Sequence, residues 1–311
     1  MTSQSWFRFF VLIFVFIGLA ALLKVGGQGY AFREQGPAAV PSNAILHLEM
    51  EGIILNGKKF LERLKDYADE PNVKAILISM NSPGGAVGPS QEISSALLRI
   101  RNERKIPIVC TTSGLMASGA YYVAVACDKI VVAPGALLGS IGVIMDFAHL
   151  GRLYDWAKIE RYTITSGKYK DSGSDYRPMR DDERKLFQDM IDEVYQQFKT
   201  AVAQGRPNLK RDVLDEYTDG RVFTGARAVE LGFADETGTF EDAVTRTADL
   251  AHLGEDYELF EPPKSRNEWW MSLAGGDDED DSINGLRGTV KSLLNLHGVN
   301  RPMFLMPGSW E

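Results

Sequence analysis

Ser118 stands between Ala117 and Gly119, with Ala120 next, inside the stretch TTSGLMASGAYYVAVACDKIVV at residues 111–132. So little side-chain bulk leaves room for a substrate beside the hydroxyl and for the backbone N–H of Gly119 to reach it. A serine at a helix start is also ordinary capping chemistry, and the residues alone leave both readings open. The spacing is not the G-x-S-x-G hydrolase elbow, because Met116 and Ala120 hold the glycine positions. A second stretch, NSPGGAVG at 81–88, places Gly84 and Gly85 where the backbone can take positive φ and approach a reacting carbonyl. Two N–H groups aimed at one point would form an oxyanion hole. The same residues also make a plain turn. Neither a dinucleotide fingerprint nor a P-loop is present.

A nucleophilic serine needs a base. None of His47, His149, His252 and His297 falls in a strand-end loop beside small residues, so a Ser–His–Asp triad has little support. His47, Glu49 and Glu51 alternate on one strand face in HLEME, but no second cluster of metal ligands follows. Lys168 and Lys170 remain, in SGKYKDSGS at 166–174. At the ordinary value of ~10.4 only about one lysine side chain in 2,500 is neutral at pH 7. Apolar burial lowers that value by several units. A lysine base therefore requires substrate or a partner subunit to seal the pocket; otherwise either residue is a surface charge.

The elements that would position these groups alternate strand with helix. Strand-like runs are AILHLEMEGII, VKAILISM, IPIVCTT, KIVVAP and ERYTITSG. Helical runs are KKFLERLKDYADE, PSQEISSALLRIRNE with Ser90 as its cap, SGAYYVAVAC, the long DDERKLFQDMIDEVYQQFKTAVAQGR, TGARAVELG and TFEDAVTRTADLA. The alternation predicts an α/β fold with a mostly parallel sheet. Sites in such sheets gather at the carboxyl ends of strands, and three stand out: NSPGG, the turn before Ser118, and the lysine loop after ERYTITSG.

The chain has 311 residues and a net charge of −8, which argues against a nucleic-acid partner. Cys110 and Cys127 both lie in apolar runs and read as buried free thiols. Near the N-terminus, Phe9 to Leu23 is an uncharged apolar run flanked by Arg8 and Lys24. It reads as a signal anchor rather than a cleaved signal peptide, since Lys24 follows LAALL where a small-residue cleavage site would fall. The organisation expected is an anchor over 1–28, a Gly/Pro-rich linker over 29–43, an α/β domain over 44–252, and over 253–311 a tail that carries the acidic run GGDDEDDS. The NRPMFLMPG segment has no assigned role.

Four motifs in series, SMNSPGG, SGLMASGAYYVAVACDKIVVAPGALLGSIGVIM, SGKYKD and DGRVFTGARAVELGFADE, resemble the signal peptide peptidase A (protease IV) family in its short form. The likeness covers residues 45 to 240. It implies a fold like that of Clp protease and the crotonase-like superfamily, built of repeated β-β-α/βα units and preceded by one N-terminal transmembrane helix. It implies a Ser–Lys dyad with Ser118 as nucleophile and Lys170 as base, and Gly85 and Gly119 as the oxyanion hole. Ser140, in LLGSIGV, would orient the lysine. The resemblance also implies that the dyad would be assembled between neighbouring subunits of a homo-oligomeric ring, with no metal or nucleotide cofactor. The substrates would be peptides, chiefly spent signal peptides, met at the outer face of the bacterial inner membrane. Two rival readings are an acyl-CoA hydratase or isomerase on the same fold and a non-catalytic ring-forming membrane scaffold.

Overall fold

The computed structural model describes residues 38–263 and 302–306. In chain order the elements are β1 (Ala44–Glu51), α1 (Lys58–Ala68), β2 (Val73–Asn81), β3 (Gly84–Ala86), α2 (Val87–Arg104), β4 (Ile108–Thr112) and β5 (Leu115–Ala117). There follow α3 (Gly119–Ala124), β6 (Lys129–Val132), β7 (Leu137–Gly139), α4 (Gly151–Ala157), α5 (Asp181–Gly205) and α6 (Arg211–Tyr217). The last are β8 (Val222–Thr224), α7 (Gly225–Leu231), β9 (Glu236–Thr237), α8 (Phe240–Leu250), β10 (Glu258–Phe260) and β11 (Met303–Leu305).

The protein is an α/β structure on a parallel sheet, ordered β10-β1-β2-β4-β6-β9. Its central strands are apolar on both faces because both are covered. Leu46, Leu48, Ile76, Ile78 and Ile108 pack into the main core, while Ile45, Leu77, Val109 and Val131 pack with Ala243 and Ala248 of α8. A second sheet, β5-β7-β8, carries the run into Ser118, and a third joins only β3 and β11. β10 lies beyond residue 252 and extends the main sheet beside β1.

Several local expectations change. ERYTITSG forms no strand: residues 159–170 are all exposed, and among the described residues no strand pairs with them to bury alternate side chains. α2 begins at Val87, and Ser90 lies inside it, buried, with its hydroxyl donating to the Ala86 carbonyl at 2.9 Å rather than capping. Cys110 and Cys127 are buried as expected but joined in a disulfide. The turn after α3 returns to β4, where the Asp128 N–H donates to the Ile108 carbonyl, and this brings the two sulfurs together. The predicted anchor lies outside the described residues; among those described, no helix is long and apolar enough to cross a membrane.

Candidate active site

β5 runs directly into α3, and Ser118 is the residue between them. Its backbone sits at φ 52°, ψ −114°. Such a conformation costs a non-glycine residue about 1–3 kcal/mol. Two bonds hold it there. The Ser118 N–H donates to the Gly139 carbonyl at 2.8 Å, and the Ser118 carbonyl accepts from the Tyr122 N–H at 2.8 Å. The residue is 1% exposed and its Oγ has no hydrogen-bond partner. A capping serine would spend that oxygen on the first turn of the helix, and this one does not. The chain thus builds a strand–turn–helix elbow without the sequence motif that usually marks one. Strain and an orphaned hydroxyl in one residue mark a position kept for chemistry rather than stability.

The first two predicted strand ends meet through Ser82. Its N–H donates to the Leu115 carbonyl at 2.8 Å and its carbonyl accepts from Ala117 at 3.1 Å. Its Oγ accepts from the Gly84 N–H at 3.1 Å. β3 is thereby laid beside the start of α3. A β-carbon on Gly84, at φ 96°, would fall 2.4 Å from the Gly119 nitrogen. One on Gly119 would fall 3.0 Å from the Gly85 nitrogen and 2.6 Å from Ser90 Oγ. Only glycine fits, and the backbone amides of Gly85 and Gly119 come together next to Ser118. Ser140 follows Gly139, buried at φ 50°, with its N–H donating to the Arg221 carbonyl at 2.7 Å.

The lysines are elsewhere. Lys170 is exposed on the 166–174 loop, and Ser118 Oγ makes no bond to it within one chain. Lys168 Nζ is held 2.7 Å from Asp182 Oδ2, and that bond raises its pKa, so it stays charged. The loop itself is latched to the start of α5. Arg177 donates to Asp171 Oδ2 at 2.8 Å and to Glu183 Oε1 at 2.6 Å, and Arg180 donates to the Lys168 carbonyl at 3.0 Å. The Arg177 guanidinium holds the Glu183 carboxyl down at about 2. This latch was not evident in the sequence; the arginines and carboxylates of RPMRDDE were its only trace.

A second array was also missed. His47 Nε2 lies 2.8 Å from Ser79 Oγ and its Nδ1 lies 2.9 Å from Glu261 Oε1, the bonding order of a triad. Ser79, however, is paired with Glu49 on one side and Thr111 on the other, so its backbone is spent on the sheet. No amides converge on it as they do beside Ser118. Among the described residues no cluster of His, Cys, Asp and Glu is placed to hold a metal.

A model of peptidase family S49 matches residues 100–254. A Synechocystis sp. protein named as a protease is 37% identical over 267 residues, covering 84% of this chain and 95% of its own. The chloroplastic serine protease SPPA of Arabidopsis thaliana is 30% identical over 278 residues, 88% of this chain. An Enterococcus faecium protein named as a signal peptide peptidase is 34% identical over 189 residues. The matched part spans 38% of the Arabidopsis relative and 54% of the Enterococcus one. Among solved structures, the 1510-N membrane-bound stomatin-specific protease superposes with a TM-score of 0.48 at 16% identity, over 73% of this chain and all of its own.

Proposed function

The chain belongs to peptidase family S49, and from that premise we propose that it is a membrane-anchored serine endopeptidase with a dyad of Ser118 and Lys170. The observation that carries the reading is the strained, buried and unpartnered hydroxyl of Ser118 beside the converging amides of Gly85 and Gly119. Ser118 Oγ attacks a peptide carbonyl while the Lys170 amine takes its proton. The oxyanion is held by the two amides, which sit on backbone packed so closely that no side chain fits at either glycine. The proton then passes to the leaving amine, and water releases the acyl group. Membership in a peptidase family displaces the acyl-CoA reading.

The base comes from a neighbouring subunit. Lys170 is exposed in one chain, and a lysine works as a base only when desolvated. The segment leading to its loop presents Trp156, Tyr162 and Ile164 at 81, 84 and 102% exposure, an apolar stretch of the kind that packs against another copy. Such packing would seal Lys170 against the partner's serine, with Ser140, next to the Gly139 that anchors Ser118, orienting it. A ring on a Clp protease and crotonase-like plan follows from the same reading.

The substrates proposed are spent signal peptides and other membrane or exported peptides, met at the periplasmic face of a bacterial inner membrane. The apolar run of 9–23 supports an anchor. The disulfide between Cys110 and Cys127 supports an oxidising compartment. The test is hydrolysis of a fluorogenic apolar peptide by purified full chain, with a serine-acylating reagent and mass mapping. Label on Ser118 and loss of turnover in Ser118→Ala are expected. Label on the exposed Ser113, or normal turnover without the Ser118 hydroxyl, would remove the assignment.

A further inference from the structure

The face of the main sheet that packs against α8 turns polar at the carboxyl ends of its strands. Glu49, Ser79 and Thr111 are register partners on β1, β2 and β4, so their side chains stand in one row on that face. Glu51 and Asn81 form the next row. These side chains line a cavity of about 270 Å³ that is also lined by residues 238–240 at the start of α8. Its size is close to the lower end of small-molecule sites, about 300 Å³. The face is the one opposite to that packed by α3, so the cavity is separate from the Ser118 elbow.

The lining offers negative charge and hydrogen-bond acceptors. Glu49 and Glu51 are exposed, and neither carboxylate has a partner among the described residues. The Glu261 carboxylate can only accept, so His47 carries its proton on Nδ1, and the neutral ring then takes the Ser79 hydroxyl proton at Nε2. Ser79 Oγ is left with lone pairs alone to present to the cavity. Thr111 is 4% exposed, and its hydroxyl has no partner among the described residues. A hydroxyl buried that deeply and left unpaired on a cavity wall points to a ligand that pairs with it. Phe240 adds an aromatic wall, its ring centroid 5.2 Å from that of His47.

The start of α8 does not make this an anion site. Its free amides are met from within: the Thr239 N–H donates to Asp242 Oδ2 at 2.8 Å and the Asp242 N–H donates to Thr239 Oγ1 at 3.2 Å. Glu241 and Asp242 in the first turn oppose the positive end of the helix. Among the described residues no group of His, Cys, Asp and Glu is placed to hold a metal ion either.

We propose that this cavity binds the head group of an organic cation, an alkylammonium or alkylguanidinium. Glu49, Glu51, Ser79 and Thr111 supply the acceptors, and Phe240 supplies an aromatic ring for the charge. The same head group ends a free amine and the lysine or arginine side chain of a peptide. The site goes beyond the proteolytic reading and does not depend on it.

Binding is measured by calorimetry on the detergent-solubilised full chain and located by carbodiimide labelling of carboxyl groups with mass mapping. The probe n-butylguanidinium should bind and should slow the labelling of Glu49 and Glu51 selectively, whereas n-butanol, butyrate and inorganic phosphate should do neither. Glu49→Gln should weaken binding by about five-fold and Thr111→Val by about three-fold, each with the parent's urea midpoint. Ser118→Ala should bind as tightly as the parent, which separates this site from the elbow. A blocked tripeptide with a central arginine distinguishes the sources. Binding as tight as that of the free probe, or tighter, makes the occupant a peptide side chain; weaker binding makes it a free small cation, and both results sustain the head-group assignment. No saturable binding of the probe, binding that Glu49→Gln and Thr111→Val both leave unchanged, or preferential binding of phosphate would overturn the proposal.

Discussion

The backbone N–H of Ser118 donates to the carbonyl of Gly139 at 2.8 Å. The serine's own amide is thus spent on holding the elbow and cannot serve the oxyanion. On the proposed reading, the hole would be made by the residue after it, Gly119, together with Gly85 across the groove. The same bond fixes the unusual conformation of Ser118, and Gly139 can offer its carbonyl there because it sits at φ 98°, where a β-carbon would strike Phe223 and the Arg221 carbonyl at 2.8 Å.

Replacing Ser118 by glycine should therefore stabilise the fold while abolishing activity. Glycine takes φ near 52° at little cost, and the change also removes a buried hydroxyl that has no partner. The gain expected is about 1–2 kcal/mol, read as a higher denaturation midpoint in urea at unchanged slope. A lower midpoint would mean that the elbow is not strained. Gly119→Ala should do the reverse. Its β-carbon would meet Ser90 Oγ at 2.6 Å, displacing the amide and lowering kcat by about 10²-fold or more.

Lys170→Ala should abolish cleavage, while Lys168→Ala should retain it within several-fold, because the Lys168 ammonium is bonded to Asp182 and held charged. Since no Ser118–Lys170 bond exists within a chain, mixed oligomers offer a sharper check. Ser118→Ala and Lys170→Ala proteins, each inactive alone, should regain part of wild-type turnover when unfolded and refolded together. No recovery from mixtures shown to co-assemble would place serine and base in the same subunit.

The sequence made some of this legible and hid the rest for physical reasons. The small neighbours of Ser118 and the paired glycines at 84–85 are properties of residue type, and the structure brings them together as the pattern suggests. The lysine loop was misplaced because ERYTITSG has strand-like residues but no strand beside it among the described residues, and propensity alone cannot supply a pairing edge. Ser90 looks like a cap only if α2 is taken to begin after the glycine-rich turn, whereas the helix starts at Val87. Cys110 and Cys127 lie 17 residues apart, and only the return of the chain alongside β4 shows that they meet. The strand at 303–305 is too short to have a period of its own, and its meaning lies wholly in the edge it covers.

Acid should loosen the lysine loop before it unfolds the core. Arg177 holds the Glu183 carboxyl at about 2, below its ordinary 4.5. A depressed carboxyl contributes stability that is complete above its unfolded value and is lost as pH falls through its folded value. The latch should therefore be intact above about pH 5 and weaken from there toward pH 2. Limited proteolysis within 166–180 should accelerate over that window, and Glu183→Gln should show the accelerated rate already at pH 7. A rate flat from pH 6 to pH 2 would mean that the pair does not hold the loop.

The disulfide brackets Ser118. Cys110 lies on β4 before Ser118, and Cys127 follows α3 after it, so the 17-residue span between them contains the whole elbow. Closing a loop of that length stabilises a fold by about 3 kcal/mol, mainly by restricting the unfolded chain. Reduction should lower the urea midpoint by the corresponding amount, and Cys110→Ala with Cys127→Ala should match the reduced protein and no longer respond to reductant. Both cysteines are buried, so reduction of the native protein should be slow and should speed up in mild denaturant. If reductant leaves the midpoint unchanged in the parent chain, the two sulfurs are free thiols in solution and the support they lend to an oxidising compartment is withdrawn.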